Sequence, residues 1–135
     1  MFGRLIVSAA LVVALAACSS KSDTSSSTTT TSQAQTAGGF SVATQFAPDP
    51  PKQGPETITV TVKDASGNPV KGATVKIGSK MPSMSMTGPN LTATDNGDGT
   101  YAAQTNLNYA TQWVFEIAVS AAGKNGTVHV TQDVK

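Results

Sequence analysis

The residues most suited to chemistry in this sequence are three methionines in one short window, KMPSMSM. Apart from Met1, every methionine of the chain lies there, at Met81, Met84 and Met86. Thioether sulfur is a soft ligand that suits Cu(I), whereas Zn(II), Mg(II) and Ca(II) prefer other donors. It also keeps its ligand form without losing a proton. The spacing Met-x-x-Met-x-Met in a polar loop therefore indicates a candidate Cu(I) site.

The same methionines have a second interpretation, as adaptable apolar packing or contact residues. Met84 and Met86 are two positions apart, so an extended segment would point both to one face. A kink at Pro82, which should end the preceding strand, would bring Met81 round to join them. The three side chains would then cover one end of the domain or form a contact patch for a protein partner. The sequence leaves the metal-binding and the structural or protein-interaction interpretations open.

The remaining reactive side chains do not suggest an enzyme. His129 is the one histidine and falls on the outward parity of a predicted strand, which favours a solvated side chain. Nucleophilic catalysis needs a nucleophile, a base and an orienting group together. Asp95 and Asp98 flank a tight turn, where aspartate serves the backbone rather than paired-carboxylate chemistry. We expect no catalytic residues.

The first residues have the layout of a secretory signal. Arg4 precedes a short apolar run that is too short to span a membrane. The tetrapeptide that ends at Cys18, Leu-Ala-Ala-Cys, resembles the lipobox of bacterial lipoproteins, which implies cleavage after residue 17 and acylation of Cys18 by groups such as palmitate. Cys18 is the single cysteine, so it has no internal disulfide partner. We expect residues 1–17 to be a lipoprotein signal peptide and the domain to be held outside the cytoplasm, in the cell envelope, with the membrane as its partner.

Composition separates a linker from the folded part and excludes nucleic acid as a partner. Removal of residues 1–17 leaves eight lysines against eight acidic residues and no arginine, so no basic stripe is present to neutralise phosphates. Residues 18–39 contain no large apolar side chain and cannot bury enough surface to offset ordering. We expect this Ser/Thr-rich segment to be a disordered tether and residues 40–135 to form the domain.

Period-two alternation dominates residues 40–135. Apolar side chains occupy every second position of several segments, with β-branched and polar residues between them, which is typical of half-buried strands. Turn sequences rich in Gly, Asn and Asp separate these segments. The pattern predicts an all-β protein, an Ig-like antiparallel β-sandwich of about seven strands with Trp113 as the large central core residue. The alternating apolar positions are Phe40, Val42, Phe46, Ile58, Val60, Val62, Ala73, Val75, Ile77, Trp113, Phe115, Ile117, Val119, Val128 and Val130.

Two motifs carry a family resemblance. The segment from Asp64 to Val75, DASGNPVKGATV, is similar to a motif of bacterial Ig-like domains, and DNGDGTY, ending at Tyr101, is similar to a turn that leads into a strand. With the methionine window between them and Trp113 after them, the order over about residues 45–120 resembles the YtkA-like family, which is related to the FixH group.

The YtkA-like resemblance implies a small exported or membrane-attached envelope protein, with some relatives in metal-handling settings. A copper role would make an envelope copper protein, an oxidase or an efflux component the expected partner. Many relatives carry histidine near the methionines, whereas this chain has none there. The resemblance therefore points away from a Cu(II)-type site and leaves Cu(I) as the candidate cofactor.

Overall fold

The computed structural model describes residues 34–135, which form two antiparallel sheets. Within this range there is no helix that could cross a membrane. The elements are β1 (Gln35–Ala37), β2 (Phe40–Ala47), β3 (Gly54–Asp64), β4 (Thr74–Met81), a 3₁₀ turn (Pro82–Met84), β5 (Met86–Thr87), β6 (Leu91–Thr92), β7 (Thr94–Asp95), β8 (Thr100–Leu107), β9 (Gln112–Ala121) and β10 (Lys124–Asp133).

The strands are arranged as a β-sandwich. One sheet has the order β1-β2-β3-β8-β7, and the other has the order β10-β9-β4-β5, with β6 also pairing with β4. All pairings are antiparallel. The predicted all-β antiparallel sandwich is therefore confirmed. The six long strands carry the predicted alternation, while β1, β5, β6 and β7 are short strands of two or three residues.

The core lies between the two sheets and is formed by the predicted apolar parity. Residues of β3 alternate between inward positions that are fully buried and outward threonines that are half-buried. Strand β9 faces them from the other sheet. Its inward side chains are each at most 1% exposed: Trp113, Phe115, Ile117 and Val119. Phe115 links the sheets, because its ring centroid lies 5.1 Å from that of Phe46. Trp113 is 1% exposed and stands in the core, as predicted.

The described fold begins ahead of the boundary expected at Phe40. Gln35–Ala37 forms β1, which pairs with the start of β2 although it lies in the segment assigned to the linker. Its three residues carry no apolar alternation, so composition gave no sign of a strand. Two glycines allow the β1–β2 connection, and a Cβ at Gly38 would overlap the Asn125 backbone carbonyl. This close approach ties β1 to the neighbourhood of β10.

The loops divide between two ends of the sandwich. The methionine end consists of the β2–β3 loop, the β4–β5 hairpin, the β8–β9 loop and the last residues of the chain. Backbone hydrogen bonds join these pieces: Val134 N–H donates to Thr111, Lys135 N–H donates to Pro51, and Gln53 N–H donates to Lys135. The turn end consists of the β1–β2, β3–β4, β7–β8 and β9–β10 connections.

Candidate functional site

The methionine window forms a tight hairpin. Strand β4 ends at Met81, and Pro82 opens the 3₁₀ turn, so the expectation that Pro82 ends the strand is confirmed. Ser85 has φ 52° and ψ 34°, a left-handed conformation that reverses the chain, and its N–H donates to the carbonyl of Pro82. The chain then pairs back on itself, with Met81 opposite Met86. The three methionines therefore lie on one hairpin.

The three methionine side chains have different exposures. Met81 is buried, with 2% of its surface exposed, whereas Met84 and Met86 are 41% and 39% exposed. The prediction that an extended segment points Met84 and Met86 to one face is wrong. Met84 lies in the 3₁₀ turn, and the left-handed Ser85 separates it from β5. Met86 is instead matched with Met81 by the strand register.

The pairing of Met81 with Met86 creates a row of side chains across the inner face of the sheet. Residues directly opposite in an antiparallel pair share a face, with Cβ atoms about 4.5–5.5 Å apart. On the other side of β4, Lys80 is opposite Val114, which places Met81 alongside Trp113 at the next step of the register. The row Met86–Met81–Trp113 therefore runs from the exposed edge of the sheet into the core.

Trp113 supports this row and joins it to the neighbouring loop. Its indole Nε1–H donates to the backbone carbonyl of Tyr109 at 3.0 Å. Its ring stacks on Phe115 with a centroid distance of 6.1 Å. Gly88, two residues after Met86, packs against it so closely that a Cβ there would lie 2.8 Å from Trp113 Cζ3. The position therefore requires glycine, and the hairpin rests on the indole.

The surface of the methionine end carries an apolar trio, defined as Met84, Met86 and Tyr109. Tyr109, in the β8–β9 loop, is 40% exposed, close to the values of the two methionines. These are the exposed large hydrophobic side chains of the part of the chain that the structure describes. Single exposed apolar side chains are ordinary on a surface, but these three share one end of the sandwich, which makes that end the candidate contact surface.

Beneath the β2–β3 loop lies a buried acid that sequence analysis missed. Glu56 is 2% exposed, and neither carboxylate oxygen accepts a hydrogen bond of good geometry from the described residues. Burial raises the pKa of Glu56 to about 7; nearby backbone groups of Lys52 and Ala47 offset this in part, and the charge of Asp49 adds to it. The signal was available, because Glu56 shares the inward parity of Ile58.

The other candidate residues are located where sequence analysis expected them. His129 lies on the outer face of β10, where Nε2 is 3.2 Å from Glu116 Oε2 and both side chains are more than half exposed. Asp95 accepts hydrogen bonds from the N–H groups of Gly97 and Gly72, and Asp98 accepts one from the N–H of Thr100. Within residues 34–135 no three His, Cys, Asp or Glu side chains come together as a metal site. Cys18 and the predicted signal peptide lie outside the described residues.

The architecture defines a class, that of small Ig-like antiparallel β-sandwich domains. A family model for YtkA-like proteins matches residues 34–118, and the chain belongs to that family. The match includes the methionine hairpin, Tyr109 and Trp113. A search of curated proteins found no match, and a search of solved structures found none.

Proposed function

We propose that this protein is a lipid-anchored cell-envelope protein, not an enzyme, whose methionine end binds Cu(I) through Met81, Met84 and Met86. The observation that carries the metal proposal is the cross-strand pairing of Met81 with Met86, with Met84 on the turn that joins them. The thioether side chains of Met81 and Met86 therefore extend from neighbouring strands on the same face of the sheet. A third is only two residues from Met86.

The surroundings of the hairpin suit a soft monovalent ion. Met81 is buried, so its sulfur would bind an ion from the apolar side of the hairpin, whereas Met84 and Met86 are partly exposed and would bind it from the solvent side. An apolar shell around a metal limits water access and favours the ion of lower charge. The one histidine of the chain is on the outer face of β10, away from the hairpin, which disfavours a Cu(II) site. Thioethers also do not pair into disulfides in an oxidising envelope.

The lipid anchor is the second part of the proposal and is supported by the sequence. Acylation of Cys18 would give the protein a stable attachment if two or more chains are added. In cells that carry Cys18→Ser, metabolic acyl labelling should disappear and the protein should be released from the membrane fraction. Label retained on the serine variant would rule out this anchor.

A second candidate function is protein contact through the same end without a metal. The observation that favours it is Tyr109, which has no role as a Cu(I) ligand yet is exposed to the same extent as Met84 and Met86. Methionine is common at adaptable binding surfaces, and tyrosine is common at interfaces. In this alternative the apolar trio is the contact and Met81 only packs beneath it.

The two functions are separated by titration with Ag(I) or Cu(I). The Cys18→Ser chain is the suitable sample because it has no thiol to compete for a soft ion. If the metal proposal holds, one ion binds per chain and the methyl resonances of Met81, Met84 and Met86 shift together. Zn(II) should have no effect, and His129→Ala should bind as the parent does. Replacing all three methionines with leucine should abolish binding while the fold remains.

The leucine variant decides between the candidates because leucine keeps bulk and apolarity. If it binds the ion as tightly as the parent, or if the parent loses Cu(I) to a modest chelator, the metal proposal is wrong. A shift confined to the exposed Met84 and Met86 would show adventitious surface binding. If the parent binds a protein partner and the leucine variant still binds it, the contact function is supported.

A further inference from the structure

We propose that the β2–β3 loop is part of a pH-dependent flap, which is closed over Glu56 while that side chain carries a proton and opens when the proton is lost. The flap is defined as residues 48–53 together with Val134 and Lys135, the two residues that follow β10 and tie the loop to the sandwich. Glu56 has no role in the proposed metal site or the proposed anchor, so the inference is independent of both.

Glu56 lies at the start of β3 and points into the sandwich beneath the flap. It shares the inward parity of Ile58 and is 2% exposed. Neither carboxyl oxygen accepts a hydrogen bond of good geometry from the described residues. The backbone N–H groups of Lys52 and Ala47 lie near the carboxyl and favour its charged form, but the effect of burial is larger. The closed flap therefore accommodates the neutral acid, whereas ionisation of Glu56 there is unfavourable.

No cation is buried with Glu56 in the part of the chain that the structure describes. Asp49 of the flap carries a negative charge, which opposes ionisation of Glu56 further. Glu116 and His129 point outward on the other sheet, where both are more than half exposed. The closed flap thus offers a charged Glu56 no compensating partner. The remaining titratable side chains of the elements at the methionine end are exposed, and they are Lys52, Lys80, Tyr109, Asp133 and Lys135.

The flap is attached at its rim by hydrogen bonds at the surface. Gln53 N–H donates to the Lys135 carbonyl at 2.9 Å, and Lys135 N–H donates to the Pro51 carbonyl at 3.3 Å. Val134 N–H donates to a carbonyl of the β8–β9 loop at 3.0 Å, and the Gln53 side chain donates to the same loop at 2.6 Å. Water replaces such partners when a surface segment opens, so each bond adds little net stability. Burial of Pro51 and Val134 favours closure, and a charge on Glu56 opposes it.

Closure of the flap and protonation of Glu56 are thermodynamically linked. In the closed flap, burial raises the pKa of Glu56 from 4.5 to about 7. In the open flap, solvent reaches the carboxyl and its pKa returns to the ordinary value. The closed state therefore binds the proton more tightly, so opening becomes easier as pH rises from 4.5 to 7 and changes no further above that. The difference between the two pKa values corresponds to an increase of about 300-fold in the ratio of open to closed flap.

Hydrogen exchange followed by NMR tests the inference on the Cys18→Ser chain, the sample that also suits the metal titration. The protection factors are corrected for the direct effect of pH on exchange. For the N–H groups of Gln53 and Val134 they should fall by up to about 300-fold between pH 4.5 and pH 8. Protection that stays constant across this range would overturn the inference.

Urea separates opening of the flap from unfolding of the whole domain. Opening of the flap exposes little surface, so protection at Gln53 and Val134 should not change with low urea at pH 8. The reference is the N–H of Val62, which donates to the Gly99 carbonyl at the turn end at 2.9 Å. Protection at Val62 should fall with urea, because its loss requires unfolding. If protection at Gln53 falls as steeply as at Val62, the whole domain opens and the inference is wrong.

Glu56→Gln keeps the shape of the side chain and removes its ionisation. In this variant, protection at Gln53 should be the same at pH 4.5 and pH 8. Asp133→Asn is the matched control, because Asp133 is an exposed acid at the same end, and this variant should retain the pH dependence of the parent. A pH dependence that survives Glu56→Gln, or that disappears in Asp133→Asn, would assign the effect to another group and contradict the inference.

The carboxyl carbon resonance of Glu56 in the parent gives a measurement that needs no change at position 56. The loss of protection at Gln53 should level off at the pH at which this resonance titrates, because the ratio of open to closed flap is constant once Glu56 is charged in both states. A loss that levels off at a clearly different pH would show that Glu56 does not control the flap.

Discussion

The turn end of the sandwich holds its loop backbone mainly with side-chain oxygens that accept from N–H groups. At the methionine end the side chains of Trp113 and Gln53 donate to loop carbonyls, but the buried carboxylate of Glu56 has no such bond among the described residues. At the turn end, Asp64 Oδ1 accepts hydrogen bonds from the N–H groups of Ser66 and Asn68, both at 2.9 Å. These hydrogen bonds, of which the one from the N–H of Asn68 has the largest effect, hold the pKa of Asp64 below its ordinary value. The hydroxyl and N–H of Thr100 lower the pKa of Asp98 in the same way.

The side chain of Tyr101 also holds the loop backbone of the turn end. Its hydroxyl donates to the Val70 carbonyl at 2.7 Å and accepts from the Ala73 N–H at 3.0 Å. One buried side chain therefore uses both its donor and its acceptor to fix the β3–β4 connection. At the methionine end, the equally buried Glu56 finds no hydrogen bond of good geometry among the described residues. The contrast teaches that the turn end satisfies its buried polar side chain, whereas the methionine end holds a buried carboxyl that its described neighbours do not satisfy.

The largest expected effect on stability comes from removing the indole of Trp113, on which the methionine hairpin packs. Trp113→Ala should lower the free energy of unfolding by about 3–5 kcal/mol, as for other large aromatic core deletions. It also removes the hydrogen bond to Tyr109 and the support of Gly88. Urea unfolding followed by circular dichroism measures the loss. The exposed neighbour Gln112→Ala is the control and should stay within about 0.5 kcal/mol; equal losses would place the tryptophan outside the core.

The next effect is a pH dependence that comes from Glu56. Its folded pKa of about 7 lies above its ordinary value of 4.5, so the native state holds a proton that the unfolded chain has released. The free energy of unfolding should therefore fall by roughly 3 kcal/mol as pH rises from 4.5 to 7, and the Glu56 contribution should be constant above that.

Glu56→Gln is the matched test, because glutamine has nearly the same shape and no charge. The variant should lose this pH dependence and be more stable than the parent at pH 8. Thermal unfolding of both proteins from pH 4 to pH 9 measures the difference. If the two curves remain parallel across this range, Glu56 is not a buried acid that titrates near neutrality.

Loss of the tyrosine hydroxyl should weaken the turn end. Tyr101→Phe leaves the Ala73 N–H and the Val70 carbonyl without their partner, which costs about 1–3 kcal/mol when such groups are buried. Hydrogen exchange at Ala73 should accelerate, while the N–H of Val134 at the opposite end should exchange as before. Acceleration at both ends would mean that the ends are not independent.

The smallest effect on stability is expected for the exposed methionines. The double change Met84→Leu and Met86→Leu should shift the free energy of unfolding by less than about 1 kcal/mol, because both side chains are only partly buried. Met81→Leu, inside the core, should cost more, up to about 1.5 kcal/mol. Chemical denaturation of the two variants measures this order; the reverse order would contradict the burial of Met81.

Most of the fold could be predicted because alternation is a local property of the chain. The inward parity of Ile58, Val60 and Val62 and the burial of Trp113 follow from period two and a large apolar side chain. The pairing of Met81 with Met86 could not be predicted, because it depends on the left-handed Ser85, a residue type with no strong preference for that conformation. The short strand β1 is stabilised by its partners rather than by its own composition.

The same periodicity predicts the burial of some site residues but not of others. Met81 continues the parity of Val75 and Ile77, so its inward position could have been predicted. Glu56 follows the parity of Ile58, but its polarity argued for the surface. The exposed Tyr109 could not be assigned, because it lies in a loop where side-chain direction has no period. Loops at the end of the sandwich are therefore where sequence periodicity stops being informative.

The direction of β1 also determines how the domain would carry a mechanical load. If the chain is held at Cys18 as proposed, a pull on the domain is applied at Ala34, the residue before β1, and the component of the force along β1 loads that strand lengthwise. The three register pairs with β2 and the bond from the Gln35 side chain to the His129 carbonyl then share the load in shear. A pull across the strand would instead break them one at a time. The short first strand would thus act as a mechanical clamp between the attachment point and the sandwich.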